Sequence, residues 1–315
     1  MKDATAFLEQ FPATREMEPL APHSTFGVGG SARYFFVARS EDELVRAVTL
    51  SRTLALPTVL IAGGSNLVFG DGLLDLLVIK IGYGSMRVEG DCVIVDAGAD
   101  LGALVEFSFS QSFAGLESLS GIPGTVGGAI VGNAGAYGRS IGELVESVQV
   151  FDGESIVSFS REECGFVYRD SVFKNDRALV VLSATLRLTP GNEVALRATS
   201  QEIIKKRERT YARGVPCPGS FFKNVLVKNV SKTTLALVDT SKIIDGKIPA
   251  GYLLEQVGSK GMREGGIEVS QNHGNLLVNV GGATRENVRT IVEILKARVK
   301  DRFGIALEEE IRYIE

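Results

Sequence analysis

Two glycine-rich loops, an arginine turn and a serine turn carry the chemistry this chain can offer. The first loop is Gly63-Gly64-Ser65-Asn66, directly after the apolar run at 58–62. The second is Gly121-Ile122-Pro123-Gly124-Thr125-Val126-Gly127-Gly128. Glycine admits positive φ and lets backbone approach a ligand closely. Successive N–H groups can then converge on an anion, with Ser65 and Thr125 adding hydroxyl donors. A diphosphate suits two such loops in one pocket. Taken singly, each loop reads equally well as a tight turn. Neither matches GxxxxGK[ST], and neither is a GxGxxG turn with a ribose-binding acid about 20 residues later. An ordinary P-loop kinase or Rossmann reading fails on pattern. A dinucleotide held by another fold survives.

Arg169, in Tyr168-Arg169-Asp170-Ser171, can bind a carboxylate and stabilise charge as it develops. It can equally pair with a surface acid, and Tyr168 can stack, hydrogen-bond or pack. Ser220, in Pro218-Gly219-Ser220-Phe221-Phe222-Lys223-Asn224, is a hydroxyl on a glycine-supported turn. It reads as a proton relay or, taken alone, as a turn hydrogen bond. It is not in a GxSxG elbow, and His273 has no evident triad role. Lys260 and Arg263 can meet phosphates or solvent. Strand alternation points Glu309 away from Glu308 and Glu310, so one face of a terminal strand can deliver a carboxylate. A solvated edge strand is the competing reading. The basic run Lys205, Lys206, Arg207, Arg209 and Arg213 favours a solvated helix face over a phosphate contact. Phe107, Phe109 and Phe113 read as core. Cys164 receives no catalytic role.

These side chains need elements to position them. Residues 1–22 read as a helix-like start and a proline-bearing lead. A strand is predicted over 33–38. Ser40 and Glu43 form a capping-box pattern that opens a helix over 41–55, with Leu44, Val45, Val48 and Leu54 facing inward. Strands follow at 58–62, 76–80, 86–89 and 92–97, then a helix over 100–113. Further strands are predicted at 144–151, 155–159 and 179–188. A helix over 193–213 has Gly214 as its cap. Next come a helix at 249–257, strands near 267–269 and 276–279, and a helix over 285–303 that Thr284 caps and Gly304 ends. LEEEIRYIE closes as a strand. Strands and helices mix without a βαβ repeat, so the fold class is α+β. Boundaries are expected near 83 and near 191–215.

The chain has 315 residues, 44% hydrophobic and 23% charged, which excludes a mostly disordered protein. A net charge of −4 makes nucleic acid a poor default partner. Glycine is clustered and unusually frequent, at 36 residues. Three cysteines without metal-ligand spacing and two histidines argue against a disulfide scaffold and a His-rich metal centre. No apolar run reaches transmembrane length, and the start lacks a signal-peptide core. The expectation is a cytoplasmic protein, without metal, membrane insertion or an obligatory protein partner.

In order, the motifs TFGVGGSA (25–32), AGGSN (62–66), GIPGTVGGAIVGNAGAYG (121–138), YRDSVFK (168–174), PGSFFKN (218–224), KIPAGYLLEQVGSKG (247–261) and LEEEIR (307–312) give the chain a family likeness. It resembles the UDP-N-acetylenolpyruvoylglucosamine reductases of bacterial peptidoglycan synthesis. The 50 residues between Arg169 and Ser220 (219 − 169) resemble the shorter variety, which lacks an inserted tyrosine loop. The resemblance implies a two-part FAD module of the vanillyl-alcohol-oxidase type over 1–83 and 84–191. A substrate domain over 192–315 would follow, its last strand returning to the active site. FAD would lie on Gly63, Gly64, Ser65 and Asn66 and on Gly121, Pro123, Gly124, Thr125, Gly127 and Gly128, with Gly132 and Asn133 beside the flavin. Tyr137, Tyr168, Lys223, Asn224 and Lys260 would touch substrate.

The implied chemistry is two hydride transfers, from NADPH to FAD and from flavin to the β carbon of UDP-N-acetylglucosamine enolpyruvate. The product is UDP-N-acetylmuramate. Arg169 and Glu310 would stabilise the enolic charge, and Ser220 would protonate the α carbon. The runner-up is a flavin oxidase of an alcohol or sugar on the same fold. Three departures stand out. Ala62 replaces the first of three glycines. Val225 and Glu309 stand where proline is common.

Overall fold

A computed structural model describes residues 4–211 and 214–315. Arg213, the end of the expected basic run, lies outside them. Packing divides the chain into two units, each assembled from separated stretches.

The first unit takes Met1–Glu18, Ala32–Gly63 and Asp75–Arg207. It contains two sheets. A four-stranded sheet runs in the order Arg15–Pro19, Ser31–Ala38, Leu73–Ile81, Thr58–Ile61. Its strands at 58–61 and 73–81 pair in parallel. Helix Glu41–Thr53 starts where Ser40 Oγ accepts the Glu43 N–H at 3.1 Å. The Glu43 carboxylate reaches back to the N–H of Arg39, one residue before the expected box. Leu44, Ala47 and Val48 are buried, whereas Val45 and Leu54 sit at the edge of the core.

The second sheet has five strands, in the order Ile156–Ser160, Val145–Phe151, Val180–Arg187, Cys92–Asp96, Met86–Glu89. Every neighbouring pair is antiparallel. Helices Leu101–Ser110 and Val126–Val131 share its core, which contains Val93, Leu104, Phe109, Ile130, Val148 and Leu186. Phe107 and Phe113 are only partly buried against it. Cys164 is fully enclosed there, and burial pushes its thiol up to about 12. An inert thiol follows at neutral pH.

The second unit takes Pro19–Ser31, Gly64–Leu74 and Glu208–Glu315. Helix Arg285–Phe303 buries Val288, Ile291, Val292, Leu295, Val299 and Phe303, a helical spacing that packs one continuous face. Thr284 caps it, accepting the Asn287 N–H at 3.1 Å, and Gly304 ends it at φ 69. A three-stranded antiparallel sheet, Arg263–Glu264, Ile267–Val269 and Leu277–Asn279, packs in the same core. The terminal strand is shorter than expected, Arg312–Ile314, and pairs in parallel with Leu67–Phe69.

Two further expectations change. Residues 15–19 form an edge strand rather than a plain lead. Helix Glu193–Glu208 stops before 213. Among the described residues, no helix is long and apolar enough to cross a membrane.

Candidate active site

Arg169 projects from a two-residue turn. Val167 and Asp170 exchange backbone hydrogen bonds at 3.1 and 3.2 Å, leaving Tyr168 and Arg169 at the tip. Arg169 itself takes φ 58, a left-handed conformation uncommon for a residue with a Cβ. Three bonds stitch this turn to the segment after the second glycine loop. Asn133 Nδ2 donates to the Val167 carbonyl at 2.7 Å. The Arg169 guanidinium donates to the Gly135 carbonyl at 2.7 Å. Ser171 Oγ donates to the Val131 carbonyl at 2.8 Å. Asn133 and Tyr137 are also left-handed, at φ 42 and 54. Such backbone persists where surrounding bonds over-determine it, and it collects at functional sites. Asn133 is buried and also accepts the Gly142 N–H, so its side chain is engaged in holding the Arg169 turn. Tyr137 is 56% exposed, and the Tyr168 ring lies 5.6 Å from the Arg169 guanidinium carbon.

Gly63 meets the second glycine loop within the first unit. A Cβ on Gly63 would lie 2.8 Å from Gly124 Cα, so only bare backbone fits there. The 121–128 loop is pinned from beneath. Val126 and Gly127 donate their N–H groups to the carbonyls of Ala99 and Ala97, at 2.9 and 2.7 Å. These two amides are committed to the protein. Thr125 Oγ1 accepts the Gly128 N–H at 3.4 Å. Gly128 is exposed, and a Cβ there would meet nothing nearer than that hydroxyl at 3.6 Å. Pro123 is exposed, and Gly132 is half-buried. Arg207 donates to the Gly121 carbonyl at 3.2 Å, so one member of the basic run braces the loop. Lys205, Lys206 and Arg209 are exposed. Gly63 set against Gly124, with the exposed Gly128 beside them, leaves bare backbone against which a large anionic cofactor can lie.

From Gly64 onward the first loop belongs to the second unit. Gly64 has φ 64, and a Cβ there would come within 1.9 Å of the His23 carbonyl oxygen. Thr25 donates its N–H to the Gly64 carbonyl and its one hydroxyl proton to the Cys217 carbonyl at 2.9 Å, with the Ser65 carbonyl 3.3 Å from the same oxygen. Asn66 Nδ2 donates to the Glu310 carbonyl at 2.8 Å, and the Asn66 carbonyl accepts the Arg312 N–H at 3.0 Å. Asn66 therefore holds the backbone that carries Glu310. Ala62 is not among the non-glycine residues of positive φ, so the missing glycine is tolerated.

Ser220 and Glu310 are brought onto neighbouring backbone. The Glu310 N–H donates to the Phe221 carbonyl at 2.8 Å, and the Lys223 N–H to the Glu308 carbonyl at 2.8 Å. Phe221 and Phe222 are buried beneath. The three acids diverge: Glu308 pairs with Lys223, and Glu309 with Lys296. Thus Glu309 anchors the terminal segment to the long helix. Val225 opens a two-residue ladder against Ile248. Asn224 Oδ1 accepts the Ala250 N–H at 3.0 Å and caps helix Ala250–Gln256. Lys260 pairs with Glu255 at 3.1 Å. His273 Nδ1 accepts the Asn275 N–H, and burial pulls its pKa below the usual histidine value.

Asn275 carries a role that no sequence motif marked. Its buried amide accepts the Phe222 N–H and donates to the Phe222 carbonyl, both at 2.8 Å. Its own carbonyl accepts the Phe221 N–H at 2.9 Å. Asn275→Ala is expected to orphan two buried backbone groups and cost about 2–4 kcal/mol, read as a lower urea midpoint. A midpoint equal to the parent's would refute this clamp.

Comparisons agree with the two-part layout. A family model described as an FAD binding domain matches residues 32–158. A second, the C-terminal domain of UDP-N-acetylenolpyruvoylglucosamine reductase, matches 210–314. The chain is 39% identical over 296 residues to the UDP-N-acetylenolpyruvoylglucosamine reductase of Solibacter usitatus, covering 94% of this chain and 95% of that one. The enzyme of that name from Geotalea uraniireducens is 34% identical over 299 residues, covering 94% and 92%. The crystal structure of the Thermus caldophilus enzyme superposes with a TM-score of 0.76 at 28% identity, covering 96% of this chain and 98% of that one.

Proposed function

The chain belongs to the UDP-N-acetylenolpyruvoylglucosamine reductase family, and on that premise we propose that it reduces UDP-N-acetylglucosamine enolpyruvate to UDP-N-acetylmuramate, with FAD as cofactor and NADPH as the electron source. The observation that carries this reading is likeness along the whole chain, with an FAD binding domain and the reductase C-terminal domain matched in order. We place an FAD module of the vanillyl-alcohol-oxidase type over 1–83 and 84–191 and the substrate domain over 192–315; packing cuts these bounds differently, with 19–31 and 64–74 in the second unit and 192–207 in the first. The enzyme works in the cytoplasm, on a precursor of peptidoglycan.

Bound FAD supplies the two-electron chemistry that no side chain here can perform. The chain's own residues bind and steer. Both glycine loops offer close backbone to the cofactor diphosphate. Arg169 presents a planar fork to the substrate carboxylate and offsets the charge that develops as the β carbon is reduced. Glu310 polarises the same enolic group. Ser220 holds a proton for the α carbon, and it must be well aimed because a hydroxyl is a weak acid. Tyr137, Tyr168, Lys223, Asn224 and Lys260 contribute to substrate binding.

Anaerobic reduction of the purified holoenzyme with NADPH, followed by the enolpyruvyl nucleotide, is the direct test. The flavin absorbance is expected to return only after the nucleotide is added. Return on oxygen alone, with oxidation of an alcohol and no response to the nucleotide, would establish the oxidase reading instead.

A further inference from the structure

We propose that Tyr211 is the positioning residue that turns the Ser220 proton toward substrate and stabilises the oxygen it leaves behind. The inference rests on the reading of Ser220 as proton donor. Tyr211 Oη and Ser220 Oγ lie 2.8 Å apart, both side chains are half-buried, and both belong to the second unit.

The direction of this bond follows from the chemistry. A serine hydroxyl has one proton and two acceptor lone pairs. If Ser220 donated to Tyr211, its proton would be spent. If Tyr211 donates, one serine lone pair is occupied and the serine proton is turned elsewhere. The backbone at Ser220 and just after it is held. Ser220 bridges to Leu276, and the next N–H, that of Phe221, is bound to the Asn275 carbonyl. What remains to be set is the side chain, and the phenol bond at 2.8 Å sets its hydroxyl.

The step balances. The enolate electron pair closes on the serine proton to form the α C–H bond, leaving Ser220 an alkoxide. That alkoxide accepts the phenol hydrogen bond as its charge appears, when the bond is strongest. The phenol proton then crosses to restore the hydroxyl, and the phenolate regains a proton from water. Tyr211 contacts Ser220, so it acts through the serine.

The experiment is a double-mutant cycle on the holoenzyme, with Tyr211→Phe, Ser220→Ala and the pair. Turnover and nucleotide KM are measured alongside the anaerobic half-reactions. Tyr211→Phe is expected to lower kcat about tenfold, the worth of one hydrogen bond made mainly as charge develops. The KM for the nucleotide should hold, because the phenol acts after binding. In the Ser220→Ala background the same change should add less than about twofold, as expected when one residue acts only through another. A Tyr211→Phe enzyme as fast as the parent overturns the proposal. So does an equal loss with and without Ser220, which would place Tyr211 in the fold or in substrate binding. If unsubstituted, NADPH-reduced enzyme is not reoxidised by the nucleotide, the proposed function itself has failed.

Discussion

Ser220→Ala slows reduction of the enolpyruvyl nucleotide by roughly 10²–10⁴-fold, the range for loss of a positioned proton donor, while NADPH still reduces the flavin at the parent rate. The asymmetry follows from where the hydroxyl acts. Reduction of the cofactor needs no proton at the substrate α carbon. Reduction of the enol ether needs one, and a serine proton cannot be replaced cheaply on a turn whose backbone is clamped by Asn275 and paired to Glu310. Removing one hydroxyl from a half-buried position leaves no buried group orphaned, so the fold should persist. Stopped-flow measurement of the two half-reactions separates the outcomes. Equal slowing of both would remove the role assigned to Ser220.

The second large effect belongs to Arg169. Arg169→Lys is expected to lower kcat/KM for the nucleotide by roughly 10²-fold or more, because a single ammonium cannot span a carboxylate as a guanidinium does. The charge is kept, so a loss reports geometry rather than attraction. The structure adds a reason for severity. The Arg169 guanidinium also donates to the Gly135 carbonyl, and its left-handed backbone is held by Asn133 and Ser171 around it. Steady-state turnover against nucleotide concentration measures the effect. An unchanged kcat/KM would mean that the carboxylate binds elsewhere.

Much of this was legible from residue order. The long helix over 285–303, its Thr284 cap and its Gly304 stop are local properties, and all three hold. All five strands of the five-stranded sheet lie within a residue of their expected bounds, because short alternating runs between turns leave little freedom. The strand at 15–19 has no local signal, since REMEP is neither apolar nor alternating and owes its state to a neighbouring strand. The three-residue strand at 67–69 is too short to show a period, and its partner is the terminal strand, more than 240 residues away.

Chain chemistry alone settled which residue types were on offer: bare glycine loops, one arginine turn, one serine turn and a terminal run of acids. Their ordered motifs also named the family. Tertiary structure decided how several of them are supported. Asn66 grips the Glu310 backbone, Asn133 holds the Arg169 turn, Asn275 clamps the Ser220 turn and Glu309 binds Lys296. An amide or carboxylate has no intrinsic partner, so its role is written only when distant backbone arrives at hydrogen-bond distance. Residue order specifies what can react, and long-range pairing specifies what holds it still.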